Sequence, residues 1–240
     1  MSKNLTDILK NKNCFITGAT GGIGRRITRK MAESGCNLFL TSLEEDKLKE
    51  LKNELSAGQV FYEPGDFNKL EDIERIIKKT TDALGSVDIL IHCAGVFEPK
   101  LLENIDLRDM ENHFNVNVRA SLLFSKAFSP FMVRNKWGRI VNIGSSSAYK
   151  GGKESIIYCM TKHAILGLSR AFHDELKEHN VRTFCVSPAA VKTPMGGRIK
   201  KQDYNTFIDP EDIAEYIAFV ISFGGDMVVD EVRLNRMIMQ

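Results

Sequence analysis

Cysteine is sparse in this sequence and shows no pairing pattern. The 240 residues contain five cysteines, and none of them forms a C-x-x-C motif. An odd number of scattered cysteines does not suit a disulfide framework, and their spacing matches no metal-binding motif. We therefore expect free thiols, a reducing compartment and no metal site.

The sequence also lacks the segments that direct a chain to a membrane or to nucleic acid. No uncharged apolar run approaches the ~20 residues that span a bilayer, and the N-terminus has no apolar signal-peptide core. The net charge is only +2, and the largest basic cluster is the short one formed by Arg198, Lys200 and Lys201. These absences predict a cytoplasmic protein that binds neither membranes nor nucleic acid.

Short apolar runs alternate with longer amphipathic stretches along the chain. The runs are rich in β-branched and aromatic residues, as in strands covered on both faces, whereas the stretches carry leucine and isoleucine at helical spacing. Strands are predicted at 13–17, 37–41, 59–62, 87–92, 139–144, 181–187 and 226–234. Helices are predicted at about 22–34, 44–56, 69–84, 107–134, 155–179 and 210–223.

This alternation predicts an α/β fold in a single domain that spans residues 1–240. Strand–helix–strand repeats place the strands parallel through right-handed crossovers. The expected result is a Rossmann-like doubly wound sheet of about seven strands with helices on both faces. Ligands in such sheets bind beyond the carboxyl ends of the strands, so functional residues are expected there.

The first strand runs into a glycine-rich turn, TGATGGIG, that opens a helix. Gly18, Gly22 and Gly24 have the spacing G-x-x-x-G-x-G. Glycines in such a turn allow a tight bend and let the backbone approach a pyrophosphate, which the positive end of the helix attracts. A structural turn without a ligand is the alternative, but the strand before it and the helix after it favour dinucleotide binding.

A second cluster, SSSAYKGGKESIIYCMTK, begins at Ser145 and contains two tyrosines that each precede a lysine by four residues. Two adjacent glycines separate Tyr149 from Lys153, so that pair need not share a helix face. Tyr158 and Lys162 lie in an apolar-periodic run without glycine, where residues four apart project side by side. Because an ammonium group beside a phenol stabilises the phenolate, this pair is the candidate acid–base group.

Together these motifs resemble the short-chain dehydrogenase/reductase family over nearly the whole chain. In that family the signature T-G-x-x-x-G-x-G is followed by an asparagine on the central helix, a serine after the fifth strand and Y-x-x-x-K. This sequence has Asn117, Ser145, Tyr158 and Lys162 in that order. The resemblance implies that Tyr158 exchanges a proton with the substrate oxygen and that Ser145 hydrogen-bonds the same oxygen. Lys162 would hold the nicotinamide ribose, and Asn117 would orient a water.

The resemblance also implies which residues contact the dinucleotide. They lie in the glycine-rich turn and at the ends of later strands, and they include both residues of the Tyr–Lys pair. The others are Gly18, Thr20, Gly22, Ile23, Gly24, Ser42, Asp66, Phe67, Ala94, Gly95, Pro188, Val191 and Thr193. The sequence departs from the family after the fourth strand, where His92 and Cys93 replace the two asparagines of N-N-A-G.

The end of the second strand bears on the choice of cofactor. NAD-selective relatives have an acid there that binds the ribose hydroxyls, and this chain has Ser42. Serine does not repel a 2′-phosphate, and Arg25 could reach such a phosphate, whereas Glu44 could reach a ribose. We therefore expect NADP(H) to be slightly favoured over NAD(H).

The activity implied by the resemblance is NAD(P)(H)-dependent interconversion of a carbonyl and a secondary alcohol by hydride transfer. Ser147 and Tyr149 are predicted to line the substrate cleft. Two enzyme types stay open, one like 3-oxoacyl-[acyl-carrier-protein] reductase and the other a small hydroxy-acid dehydrogenase. A catalytically silent dinucleotide-binding regulator or scaffold is the alternative outside enzymes. Because the family packs subunits through two long helices, a homodimer or homotetramer is expected.

Overall fold

The predicted strands form one parallel sheet in the computed structural model, which describes residues 5–55, 58–199 and 202–237. The strands are β1 (Asn13–Thr17), β2 (Asn37–Thr41), β3 (Val60–Tyr62), β4 (Ile89–His92), β5 (Gly138–Ile143), β6 (Val181–Pro188) and β7 (Glu231–Leu234). Their order across the sheet is β3-β2-β1-β4-β5-β6-β7. All neighbours are parallel, so the predicted doubly wound α/β architecture is confirmed.

Helices connect the strands, as the amphipathic stretches predict. They are α1 (Leu5–Leu9), α2 (Gly22–Glu33), α3 (Glu45–Glu54), α4 (Leu70–Leu84), α5 (Leu107–Phe114), α6 (Ala120–Arg134), α7 (Ile156–Leu176) and α8 (Pro210–Ser222). The sequence did not predict α1. No helix within the described ranges is long and apolar enough to cross a membrane.

Strand residues alternate between two hydrophobic clusters on opposite faces of the sheet. On β1, Ile16 packs in the cluster that includes α2 and α8, and Phe15 packs in the cluster that includes α4 and α6. The Phe15 ring centroid lies 4.9 Å from that of Phe124 and 5.0 Å from that of Phe128. Burial on both faces explains why these strands are continuous apolar runs.

The helix predicted at 107–134 is interrupted. α5 ends at Phe114, a π-helical turn covers Asn115–Arg119, and α6 begins at Ala120. A π-helical turn inserts one residue while the apolar pattern continues on both sides, so periodicity does not reveal it. Such turns occur frequently at functional sites, and this one contains Asn117.

The last strand is shorter than the predicted 226–234, because its pairing with β6 begins only at Glu231. Two carbonyl groups further upstream bond to a side chain instead, since Arg182 donates to Phe223 at 3.0 Å and to Met227 at 3.3 Å. Some sequence predictions concern residues that lie outside the described ranges: the end of the helix at 44–56, and Lys200 and Lys201 of the basic cluster.

Candidate active site

The glycine-rich turn lies at the carboxyl end of β1, beside the end of β4, where the strand order reverses. Gly18 has a φ of 62°, and a Cβ there would lie 2.7 Å from backbone atoms of Ala94. A Cβ at Gly24 would overlap the carbonyl oxygen of Gly18. The first residues of α2 have no side-chain cap, so their N–H groups can bind an anion. This bare cradle fits the pyrophosphate of a dinucleotide.

Hydroxyl and charged groups flank this turn on the side of β2 and α3. The Thr20 and Ser42 hydroxyl oxygens are 2.6 Å apart, and they link the turn to the end of β2. Arg25 pairs with Glu50 at 3.1 Å and also with Glu54. Arg25, which the sequence suggested as a ligand of a 2′-phosphate, is therefore already paired with two carboxylates.

Two predicted cofactor residues follow β3. The Asp66 carboxylate accepts a hydrogen bond from the Asn68 backbone at 3.0 Å, which orders this loop. The Phe67 ring is buried and packs edge-on against Phe124 at 5.3 Å between centroids. The core thus holds the Phe67 side chain, and the Phe67 carbonyl oxygen accepts a hydrogen bond from Arg119 at 2.8 Å, so the side chain is not available to a ligand.

The segment after β6 reaches back to the glycine-rich turn. A Cβ at Gly22 would overlap the Thr193 methyl group, so the two segments are in close contact. The Thr193 hydroxyl oxygen accepts a hydrogen bond from the Gly196 backbone at 3.0 Å, and Val191 is buried just before it. Pro188 ends β6 at the same edge. The fold therefore brings the predicted residues of β1 and β6 to one crevice.

The Tyr–Lys pair lies beside the end of β5, the strand that leads to Ser145. Ser145 follows this strand, and its hydroxyl oxygen accepts a hydrogen bond from the Ser147 backbone at 3.1 Å. On α7, the Lys162 Nζ atom lies 5.5 Å from the Tyr158 ring centroid. The same Nζ donates to the Ile143 carbonyl oxygen at 2.7 Å. Lys162 therefore ties the strand end that carries Ser145 to the helix that carries Tyr158.

Asn117 is buried, and protein groups occupy its side-chain amide. The amide nitrogen donates to the Val96 carbonyl oxygen at 3.1 Å and to the Thr161 hydroxyl at 3.0 Å. The amide oxygen accepts from the Val96 backbone N–H at 2.7 Å. Asn117 thus joins the loop after β4 to α7, a role that its sequence position did not indicate.

The two residues that replace the family asparagines lie beside Lys162. Burial and the Lys162 charge lower the pKa of His92 to about 3, and its Nδ1 atom lies 2.9 Å from the Thr17 hydroxyl. Loss of hydration raises the pKa of the Cys93 thiol to about 12. Both groups are therefore neutral at physiological pH.

The other tyrosine of the cluster is bound to the edge of the sheet. The Tyr149 hydroxyl donates to Glu231 on β7 at 2.8 Å, and the Arg233 guanidinium lies 4.4 Å from its ring centroid. Burial raises the pKa of Tyr149 to about 12. Because the Tyr149 hydroxyl is already bonded to Glu231, only the Tyr149 ring remains available for the predicted substrate contact.

Sequence reasoning missed two residues at the mouth of the crevice. The Phe97 ring packs against the Tyr158 ring with centroids 4.9 Å apart. Arg198 donates from Nη1 to the Phe97 carbonyl oxygen at 2.8 Å. The stretch VFEP after HCAG belongs to no motif. Only the fold brings these residues together.

Comparison with known proteins agrees with this geometry. Residues 12–204 match the family model described as short chain dehydrogenase. An uncharacterized oxidoreductase of Staphylococcus aureus is 28% identical over 228 residues, which cover 95% of this chain and 98% of the relative. The (2S)-[(R)-hydroxy(phenyl)methyl]succinyl-CoA dehydrogenase subunit BbsD of Thauera aromatica is 28% identical over 235 residues, with 93% and 94% covered.

A solved structure extends the likeness to three dimensions. The alcohol dehydrogenase of the archaeon Thermococcus sibiricus, complexed with 5-hydroxy-NADP, superposes with a TM-score of 0.85 at 30% identity. The match covers 96% of this chain and 98% of that one. The glycine cradle, the residues beyond β5 and the family match lead to one conclusion. The chain belongs to the short-chain dehydrogenase family and is an oxidoreductase built to use a nicotinamide dinucleotide.

Proposed function

We propose that this protein interconverts a carbonyl and a secondary alcohol with Tyr158 as the acid–base group. The contact that carries the proposal is the Lys162 hydrogen bond to the Ile143 carbonyl oxygen, 2.7 Å long. It sets a buried ammonium group between the strand end that bears Ser145 and the Tyr158 ring. A positive charge at this place stabilises a phenolate, which a proton-transferring tyrosine requires.

Each side chain then has a separate task. Ser145 donates a hydrogen bond to the substrate oxygen, and Tyr158 gives that oxygen a proton in reduction or removes one in oxidation. A bound nicotinamide supplies or accepts the hydride. Lys162 stabilises the negative charge that forms on Tyr158 and binds the ribose hydroxyls, and the Asn117 side-chain amide keeps the loop after β4 in place beside them.

The glycine cradle and the segment after β6 form the dinucleotide site in this proposal. Ser42 carries no charge that would repel a 2′-phosphate, which favours NADP(H) slightly over NAD(H). The carboxylates of Glu50 and Glu54 on Arg25 limit that preference, because the guanidinium must leave them to reach a phosphate. Titration of the protein fluorescence with NADPH and NADH tests this point. A much tighter complex with NADH would contradict it.

Subunit association is also proposed. Apolar side chains that a monomer would leave in water lie on the long helices, with Leu122 on α6 43% exposed and Met160 on α7 46% exposed. Contact between copies of the chain would cover them, which supports a homodimer or homotetramer. The small-molecule substrate would enter beside Ser147 and the Tyr149 ring.

The decisive experiment replaces Tyr158 with phenylalanine. Turnover should fall by about 10³-fold or more, while nicotinamide binding measured by fluorescence should stay unchanged. The substrates are a panel of ketones, aldehydes and alcohols, read at the nicotinamide absorbance band. Tyr216→Phe on α8 is the matched control, because it makes the same chemical change away from the crevice.

Two outcomes would refute this assignment. Full turnover by Tyr158→Phe would show that another group moves the proton, and loss of turnover in Tyr149→Phe alone would transfer the role to the other tyrosine. Cofactor binding by the wild-type protein without turnover of any substrate would favour the alternative, a silent dinucleotide-binding regulator or scaffold.

A further inference from the structure

The mouth of the crevice has a positively charged wall close to the proposed acid–base group. The Arg198 guanidinium donates to the Phe97 carbonyl oxygen at 2.8 Å, and the Phe97 ring packs on the Tyr158 ring. One residue, Phe97, therefore contacts both the guanidinium and the tyrosine.

Arg198 stands on an ordered turn, the Met195–Arg198 turn, rather than on a free arm. Its backbone N–H donates to the Met195 carbonyl at 3.1 Å. Gly196 is buried, and its N–H donates to the Thr193 hydroxyl at 3.0 Å. A Cβ at Gly196 would overlap the Val191 carbonyl oxygen, so the turn is packed closely against the end of β6. A charged group on a fixed turn is better placed for recognition than one on a mobile segment.

The charge of Arg198 is not neutralised within the part of the chain that the structure describes. Its hydrogen bond there is to a neutral carbonyl, and no carboxylate of residues 5–55, 58–199 or 202–237 forms an ion pair with it. By contrast, Arg170 pairs with Glu231 at 2.8 Å. An exposed guanidinium has further N–H donors free, which suit the two oxygens of a carboxylate.

The acid nearest in sequence to Phe97 is Glu98, and it belongs to another set of charges. Glu98 lines a small cavity with Lys100, Asp109 and His113. The backbone N–H of Glu98 donates to the His113 Nε2 atom at 3.3 Å. Lys100 pairs there with Asp109 at 2.5 Å, and the Glu98 charge acts on Lys100 as well. This cluster leaves the charge of Arg198 available to a ligand.

We propose that Arg198 is a specificity-determining residue that binds the carboxylate of the substrate. The substrate class is then a small oxo acid or hydroxy acid rather than a neutral ketone or alcohol. The Phe97 carbonyl can keep its hydrogen bond, because the guanidinium has five donors. This inference rests on the proposed function, since it concerns the substrate of the same tyrosine.

The test measures how strongly the enzyme prefers an acid to its ester. Short 2- and 3-hydroxy acids and their methyl esters are assayed with NAD⁺ and NADP⁺ on the full-length wild type and on Arg198→Gln, Arg198→Lys and Arg134→Gln. The ratio of kcat/KM for acid over ester should fall by about 10- to 100-fold in Arg198→Gln, mainly through KM. Arg198→Lys should be intermediate because it keeps the charge but not the planar fork.

Arg134→Gln is the control variant for this test. Arg134→Gln removes an exposed guanidinium that stacks on Phe131, away from the crevice, and should keep the wild-type ratio. An unchanged ratio in Arg198→Gln, or a wild type that uses only neutral compounds, would overturn the inference and leave the proposed function standing. A wild type that turns over neither acids nor neutral compounds would instead refute the proposed function.

Discussion

The burial of His92 predicts how the free energy of unfolding changes with pH. In the folded protein its ring is enclosed at the end of β4, and burial together with the Lys162 charge lowers its pKa to about 3. An unfolded chain exposes the same ring, whose pKa is then about 6.5. The unfolded state therefore binds a proton at a pH where the folded state does not, and stability is lost as the pH falls below about 6.5.

The size of the effect follows from these two pKa values. At pH 8 both states hold a neutral ring, so His92 contributes no pH dependence there. At pH 5 the unfolded ring is protonated and the folded ring, with a pKa of about 3, is not, which lowers the free energy of unfolding by about 2 kcal/mol. The loss grows further toward pH 3.

Comparison with His92→Asn isolates this contribution. Asparagine does not titrate and can keep a hydrogen bond to Thr17, so the variant should lose less stability than the wild type between pH 8 and pH 5. Urea unfolding followed by circular dichroism measures the two free energies. His179→Asn is the matched control, because His179 is exposed. A wild-type-minus-variant difference that stays constant over this pH range would show that His92 is not held neutral by burial.

Three further substitutions test the cradle, a helix end and the proposed assembly. Gly24→Ala should weaken nicotinamide binding at least ~10-fold in a fluorescence titration, because the new methyl group overlaps the carbonyl oxygen of Gly18. Asp209→Ala removes the side chain that caps α8 and should lower the free energy of unfolding by about 1 kcal/mol in urea, with cofactor affinity unchanged. Leu122→Glu should shift the protein to smaller species in light scattering, since it places a charge among apolar groups that a partner such as Met160 of a second copy would cover. Unaltered mass would count against association through these helices.

Local sequence patterns predict much of this fold. The strand of residues 13–17 is apolar because both faces of β1 are covered, and its ends agree with the structure. Asp209 followed by proline correctly indicates the start of α8, because an acid caps the first N–H groups and proline needs none. Likewise, four-residue spacing suffices to put Lys162 beside Tyr158, since helix geometry alone brings i and i+4 together.

Local sequence patterns did not predict the contacts between residues that are distant in the chain. The interruption at Asn115–Arg119 leaves no mark on an apolar pattern, and the Asn117 amide finds its partner only when the loop after β4 folds onto it. Arg25 on α2 and Glu54 on α3 are 29 residues apart in the chain, and their pairing joins the two helices. A sequence pattern reports neighbours a few residues away, whereas these bonds depend on how separate elements pack.

By itself, the sequence determined the succession of strands and helices along the chain, the glycine-rich turn and the helical placement of Tyr158 beside Lys162, because each depends on backbone propensity and spacing within a single segment. Tertiary structure alone decided which groups surround that tyrosine. Phe97 and Arg198 are separated by 101 residues in sequence, and they meet because parallel strands bring their carboxyl ends to one edge of the sheet. The chemistry of the site is thus local, and the wall that would select its substrate is assembled by the fold.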